Sequence, residues 1–144
     1  MNDTHEVYTF CFAKGRLPGD FMGGSPLMSN SGTFRIPMIY SLLRPETQSR
    51  GSRGLIMVDT GFKGGRSMTG RTFEDYEAPE ETLAKVGAST KEVDLVLLTH
   101  LHFDHAGNLD AFPNARFMVQ RREYEEWTRV CSATLPVTGA RHRW

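Results

Sequence analysis

One short segment constrains the fold more than any other. In Val93–Leu98 the residues after Asp94 form a continuous apolar run with no polar alternation, the pattern of a strand covered on both faces inside a sheet. The chain then passes at once into Thr99-His100-Leu101-His102-Phe103-Asp104-His105. A chain of this kind must therefore build a layered core around one interior strand and place a cluster of titratable side chains where that strand ends.

The remaining segments supply the layers. Val7, Thr9 and Cys11 alternate with Tyr8, Phe10 and Phe12, a β-branched and aromatic stretch that predicts a first strand ending near Lys14-Gly15. Residues 15–32 hold five glycines and two prolines and read as loop. Residues 33–43 form a second extended run, and Pro37 within it points to an edge strand or a bulge. Leu55–Val58 reads as a buried strand closed by the turn Asp59-Thr60-Gly61, and the glycine-rich, basic stretch 62–71 as a solvated loop. Pro79, the acidic pair Glu80 and Glu81, the spacing of Leu83 and Val86, and Gly87 predict a short capped helix. Arg116–Val119 reads as a further strand, and residues 120–130 as an exposed helix with Tyr124, Trp127 and Val130 on one stripe. Strands alternating with helices predict an α/β, layered architecture.

Bulk properties narrow the function classes. The 144 residues carry 17 basic and 17 acidic side chains, a formal net charge of zero, so nothing in the charge favours nucleic acid or an anionic lipid surface. No apolar run approaches the roughly 20 residues that span a bilayer, and residues 1–6 do not read as a signal peptide, so no membrane partner and a cytoplasmic location are expected. Cys11 and Cys131 form no disulfide framework or zinc knuckle and are given no role. A small-molecule substrate is the expected partner.

Three of the five histidines fall within six residues. A lone histidine at a strand end would read as a surface residue; this cluster reads as a metal site. With His100 and His102 extended, their period of two sets both imidazoles on one side, within reach of one ion. Asp104 and His105 lie where the backbone turns and can enter the same pocket from another direction. Imidazole nitrogen and carboxylate oxygen suit Zn2+ at about 2.0–2.2 Å, and iron, manganese or cobalt would accept the same donors. Such a cation brings the pKa of bound water to about 7 and polarises a carbonyl, which is hydrolytic chemistry.

The run Thr99-His100-Leu101-His102-Phe103-Asp104-His105-Ala106-Gly107 resembles the HxHxDH motif of the metallo-β-lactamase-fold hydrolases, and Val58-Asp59-Thr60-Gly61 resembles that family's earlier motif. Within residues 30–127, Phe112-Pro113-Asn114-Ala115 and Val119-Gln120-Arg121-Arg122-Glu123-Tyr124 are most similar to the N-acyl homoserine lactonase branch. The resemblance implies that His100 and His102 bind one metal, that Asp104 and His105 face a second, and that Asp59 stands behind the metals without ligating them. It implies two Zn2+ ions in the intact site and a catalytic role for Asp104 as the proton shuttle in lactone or ester hydrolysis.

The resemblance also implies an αββα sandwich made of two similar halves, of which residues 1–131 would be the first, with 132–144 an irregular tail of a truncated product. The family's further ligands, two histidines and a bridging aspartate, and the lactonase branch's catalytic tyrosine are not identifiable here. His142 lies between arginines that disfavour a cation, and Asp110 lies just past the motif. One sheet face is then expected to lack its cover and to offer a route to self-association. The alternative to an enzyme is a non-catalytic fragment retaining a partial metal site, and a further possibility is that a second chain supplies the missing ligands.

Overall fold

The computed structural model describes residues 4–18, 33–46, 54–64 and 73–134, with 17, 18 and 131–134 described through their backbone. Strands β1 (His5–Pro18), β2 (Thr33–Pro45), β3 (Leu55–Val58), β4 (Val93–Leu98) and β5 (Arg116–Val119) lie side by side in that order in one sheet. β1, β2 and β3 pair antiparallel, and β3, β4 and β5 run parallel. Parallel neighbours need a crossover. Helix α1 (Pro79–Ala84) lies in the first, and the turn of helix α2 (Phe103–Ala106) in the second. Helix α3 (Arg121–Thr134) follows β5. Among the described residues no helix is long and apolar enough to cross a membrane.

The first two strands are longer than the sequence suggests. Gly15 looks like a terminator, yet β1 continues through it to Pro18 opposite Thr33. The reason is packing: a Cβ at Gly15 would stand 3.1 Å from both Met38 and Phe73, so glycine here admits a close approach rather than ending the strand. A bulge between Cys11 and Ala13 shifts the register and lets Phe12 and Ala13 both be buried. Pro37 sits beside that bulge, opposite Lys14. Lys14 exchanges both its backbone bonds with Glu74, at 2.8 and 2.9 Å, on the outer edge of β1. No donor is therefore required of Pro37 towards β1, and β3 pairs only with 41–43 of β2. Residues 19–32 of the expected loop, and 65–71 of the second, lie outside the described residues. Phe62, at the head of that second loop, is buried rather than solvated; it joins Phe12, Phe73, Tyr76 and Phe103 in an aromatic cluster.

The two faces of the sheet differ. Tyr40, Leu42, Met57, Val96 and Leu98 follow one another across β2, β3 and β4 and are all buried. Helix α1 covers this face through Leu83 and through Thr82, whose hydroxyl meets Tyr40 Oη at 2.6 Å. α3 covers it at the β5 end, where Tyr124 and Trp127 close an apolar cavity of about 300 Å3 with Leu98, Leu101, Phe117 and Val119. The opposite face carries Val7, Ile39, Leu43, Ile56, Val58, Leu95, Leu97 and Met118. Its outer residues are open, Val7 at 63%, Ile39 at 50% and Met118 at 57% exposure, and Leu95 and Leu97 are half-buried. Continuous apolarity in β4 led to an expectation of cover on both faces; among the described residues only one face is covered.

α1 follows its sequence signals closely. Pro79 opens it, Glu81 accepts the Ala78 N–H at 2.8 Å, and Gly87 adopts φ 69° where the chain turns away. α3 spans Arg121–Thr134, four residues beyond the expected helix end at Val130, and Trp127 on its stripe is half-buried rather than exposed. Residues 135–144, His142 among them, lie outside the described residues.

Candidate metal centre

The site forms at the carboxyl ends of the parallel strands β3 and β4, the edge at which α/β sheets place their ligands. β3 ends at Val58, and Asp59 follows with φ 65°, a left-handed conformation that aspartate tolerates better than most residues. That turn aims the buried carboxylate back across the sheet. Oδ1 accepts the Thr99 N–H at 2.8 Å, Oδ2 lies 2.8 Å from Thr99 Oγ1, and Oδ2 meets His105 Nδ1 at 2.7 Å. Thr60 grips the same segment from behind: its N–H and Oγ1 donate to the His105 carbonyl at 2.7 and 2.9 Å. Gly107 N–H donates to the Gly61 carbonyl at 2.9 Å. Two glycines are required here. A Cβ at Gly107 would fall 2.1 Å from the Phe103 carbonyl oxygen, and one at Gly61, where φ is 70°, would fall 2.9 Å from the Phe12 ring.

Hydrogen bonding assigns the histidine tautomers. Thr99 Oγ1 gives its proton to Asp59 and so accepts from His100 Nδ1 at 3.0 Å, which leaves His100 Nε2 as a lone pair. Asp59 accepts from His105 Nδ1, which likewise leaves His105 Nε2 as a lone pair, 3.5 Å from Asp104 Oδ2. His100 Nε2 faces His102 Nδ1 at 3.0 Å. The His100 imidazole has its pKa lowered, first by burial and then by the neighbouring His105 and His102, against the opposing fields of Asp59 and Asp104. Its neutral, ligand-competent form is thereby favoured.

The donors thus meet as two pairs, His100 Nε2 with His102 Nδ1 and His105 Nε2 with Asp104 Oδ2. Two donors on one tetrahedral zinc, each about 2.0–2.2 Å from it, stand roughly 3.3 Å apart, and spacings of 3.0 and 3.5 Å fit that figure. Among the described residues no group of three or more histidine, cysteine, aspartate or glutamate side chains is arranged to hold one ion. The imidazole nitrogens of His100, His102 and His105 and the carboxylate of Asp104 are nevertheless donors of the kind a divalent cation such as zinc accepts. Asp110 takes no part; it forms an ion pair with Lys63 on the surface.

Three residues of this neighbourhood take roles that the sequence does not assign to them. Thr99 was read only as part of a motif, yet its hydroxyl orients His100. Glu123 accepts the Leu101 N–H at 2.9 Å and the Trp127 Nε1–H at 2.8 Å. Trp127 sets its ring edge-on to His102, with centroids 5.8 Å apart. A Thr before the first histidine was a usable signal. Nothing in the sequence linked Glu123 to a segment 22 residues away.

Residues 48–132 match the metallo-beta-lactamase superfamily. The chain belongs to that superfamily. This metallo-β-lactamase superfamily member is 34% identical over 124 residues to an N-acyl homoserine lactonase of Bacillus cereus, a match that takes in 77% of this chain and 47% of that protein. It spans about half the length of the curated relatives it matches. In structure it is similar to a probable metal-dependent hydrolase from Staphylococcus aureus, with a TM-score of 0.71 at 23% identity over 90% of this chain and 52% of the other, a likeness of fold. It is also similar to an N-acyl homoserine lactone hydrolase solved with N-hexanoyl-L-homoserine at its catalytic metal centre, with a TM-score of 0.60 at 25% identity over 87% of this chain and 52% of that one.

Proposed function

We propose that this chain carries the metal-binding part of a hydrolase that opens a lactone of the N-acyl homoserine type or cleaves a related ester, with residues 1–131 belonging to the N-terminal half of the metallo-β-lactamase-like domain. The observation that carries the reading is the pairing of side chains, His100 Nε2 3.0 Å from His102 Nδ1 and His105 Nε2 3.5 Å from Asp104 Oδ2, which supports one cation at the first pair and a second at the other. The identity to a Bacillus cereus lactonase and the product seen at the metal centre of a structural relative support the choice of substrate. Zinc suits these donors, and iron, manganese or cobalt would also be accepted. A cation held there supplies Lewis acidity towards the substrate carbonyl and an activated water near neutral pH.

The chain's own residues do the rest. Thr99 and Asp59 hold the Nδ1–H groups of His100 and His105, so both rings present Nε2. The proton between His100 Nε2 and His102 Nδ1 must leave or move to His102 Nε2 before that pair can ligate. Asp104 carries the reaction's proton. Water oxygen bonds to the carbonyl carbon, the ring C–O bond breaks, and a carboxylate oxygen of Asp104 takes the proton released by the water and returns it to the leaving alcohol oxygen.

A second reading is a partial site that binds metal without turnover. It is favoured by the count of two donors per pair among the described residues, and by the open sheet face, through which the chain would self-associate. Zinc content by mass spectrometry and hydrolysis of N-hexanoyl homoserine lactone, both on one purified sample, separate the two. Bound zinc with turnover is the expected result. Bound zinc without turnover would establish the second reading, and absence of zinc would overturn both.

A further inference from the structure

The geometry points to Glu123 as a positioning residue for the His100–His102 pair, an inference that rests on the metal-centre reading above. Glu123 is the third residue of α3, and its own N–H donates to Gln120 Oε1 at 3.1 Å. A glutamate at this position of a capping box ordinarily turns its carboxylate back to the residue that caps the helix. Here Oε1 reaches out of the helix and accepts two N–H groups at once, from the Leu101 backbone at 2.9 Å and from Trp127 Nε1 at 2.8 Å.

Leu101 is the residue between the two histidines, so fixing its peptide fixes the backbone on either side of it. His100 and His102 are then held on one side of that peptide, with Nε2 and Nδ1 3.0 Å apart. The same oxygen orients Trp127, whose ring lies at 83° to that of His102 and restricts the rotation of a side chain otherwise exposed to solvent. Leu101 and Trp127 also line one apolar cavity, which backs the strap with packing. The hydrogen bonds of the Glu123 carboxylate go to Leu101 and Trp127 and not to an imidazole nitrogen, so it acts on the histidines through those two residues. The apolar contacts of α3 would hold the helix on the sheet without it, and the carboxylate adds a directed hydrogen bond to the backbone of the histidine loop.

The test uses the full chain with Glu123→Ala, Glu123→Gln and, as control, Glu126→Ala. Glu126 lies on the same helix and pairs with Arg129 in solvent. In the metal-free protein, exchange of the Leu101 amide and the 15N shifts of the His102 ring are followed by NMR. With Co2+ alone as probe, visible absorption and Trp127 fluorescence in a Trp144→Phe background report binding. Glu123→Ala is expected to speed Leu101 exchange about tenfold or more and to weaken Co2+ binding about 10- to 100-fold. Glu123→Gln, whose amide oxygen can still accept both N–H groups, is expected to recover most of each loss, and Glu126→Ala to change neither. Unchanged Leu101 exchange and Co2+ affinity in Glu123→Ala, or an equal loss in Glu126→Ala, would overturn the proposal. Should Glu123→Ala fail to fold, the wild-type chain decides: a scalar coupling across the hydrogen bond from Leu101 N to the Glu123 carboxylate is expected, and its absence overturns the assignment. A wild-type chain that takes up no Co2+ sinks the metal-centre reading, while the exchange and ring measurements still decide the positioning role.

Discussion

The two donor pairs lie side by side but are braced from opposite directions. His105 is held from β3: Asp59 meets its ring and Thr60 its carbonyl, both buried and both 45 or 46 residues upstream. The His100–His102 pair is held from α3, through the half-buried Glu123, 22 residues downstream of Leu101, and the half-buried Trp127 that the same carboxylate orients. The upstream brace is part of the sheet's own turn, made of short side chains at a left-handed residue. The downstream brace is a helix laid on afterwards, over a cavity. One pair is thus fixed by the core and the other by a strap, and the two should respond differently to damage.

The largest effect is expected at Gly107, on the core-braced side. Gly107→Ala places a methyl 2.1 Å from the Phe103 carbonyl and should cost about 3 kcal/mol, the upper end of overpacking. Gly64→Ala is the control, since φ there is 72° with nothing within 4 Å, and should cost about 1–2 kcal/mol. Urea unfolding midpoints of the two variants compare them; equal midpoints would show that the Phe103–Gly107 turn is not tightly held.

Asp59→Ala comes next. It leaves the Thr99 N–H and His105 Nδ1 without their acceptor, worth about 1–3 kcal/mol of stability. Zinc titration calorimetry should show the Asp104–His105 position weakened about 10- to 100-fold and the His100–His102 position less, since Asp59 hydrogen-bonds His105 directly but is linked to His100 through the Thr99 hydroxyl. Equal losses at both positions would erase the distinction between the braces.

The smallest effect is the pH response of His100. Its folded pKa lies below the ordinary value, so the unfolded chain takes up this proton first as pH falls. The stability it contributes is present above about pH 6.5 and is lost as pH drops towards the depressed folded value. Metal-free wild type should therefore lose more stability between pH 7.5 and 5.5 than His100→Asn, as read from urea midpoints; the opposite order would contradict the assigned burial and charge effects.

What the sequence revealed follows the same division. Asp59 was legible through the likeness of Val58-Asp59-Thr60-Gly61 to the family's earlier motif, and His100 to His105 through three histidines and an aspartate crowded into six residues at the end of β4. Glu123 was not legible, since a glutamate at that point reads as an ordinary helix start, and only the packing of α3 against Leu98 and Phe117 brings it under Leu101. Among the described residues the cover expected on the second face of β4 is not found, for a related reason. Ile56, Val58, Leu95 and Leu97 are as apolar as the buried residues beside them, and composition does not say which face of a sheet receives a helix. Gly15 misled through its chemistry: glycine that ends a strand and glycine that admits Met38 and Phe73 are the same residue in sequence.

The central claim is that each donor pair holds its own cation. Crystals of the zinc-loaded chain, measured on either side of the zinc absorption edge, test it directly. The account predicts two anomalous peaks, one about 2.0–2.1 Å from both His100 Nε2 and His102 Nδ1, the other within bonding distance of His105 Nε2 and Asp104 Oδ2. No peak at either pair, or zinc bound only elsewhere on the chain, would contradict it.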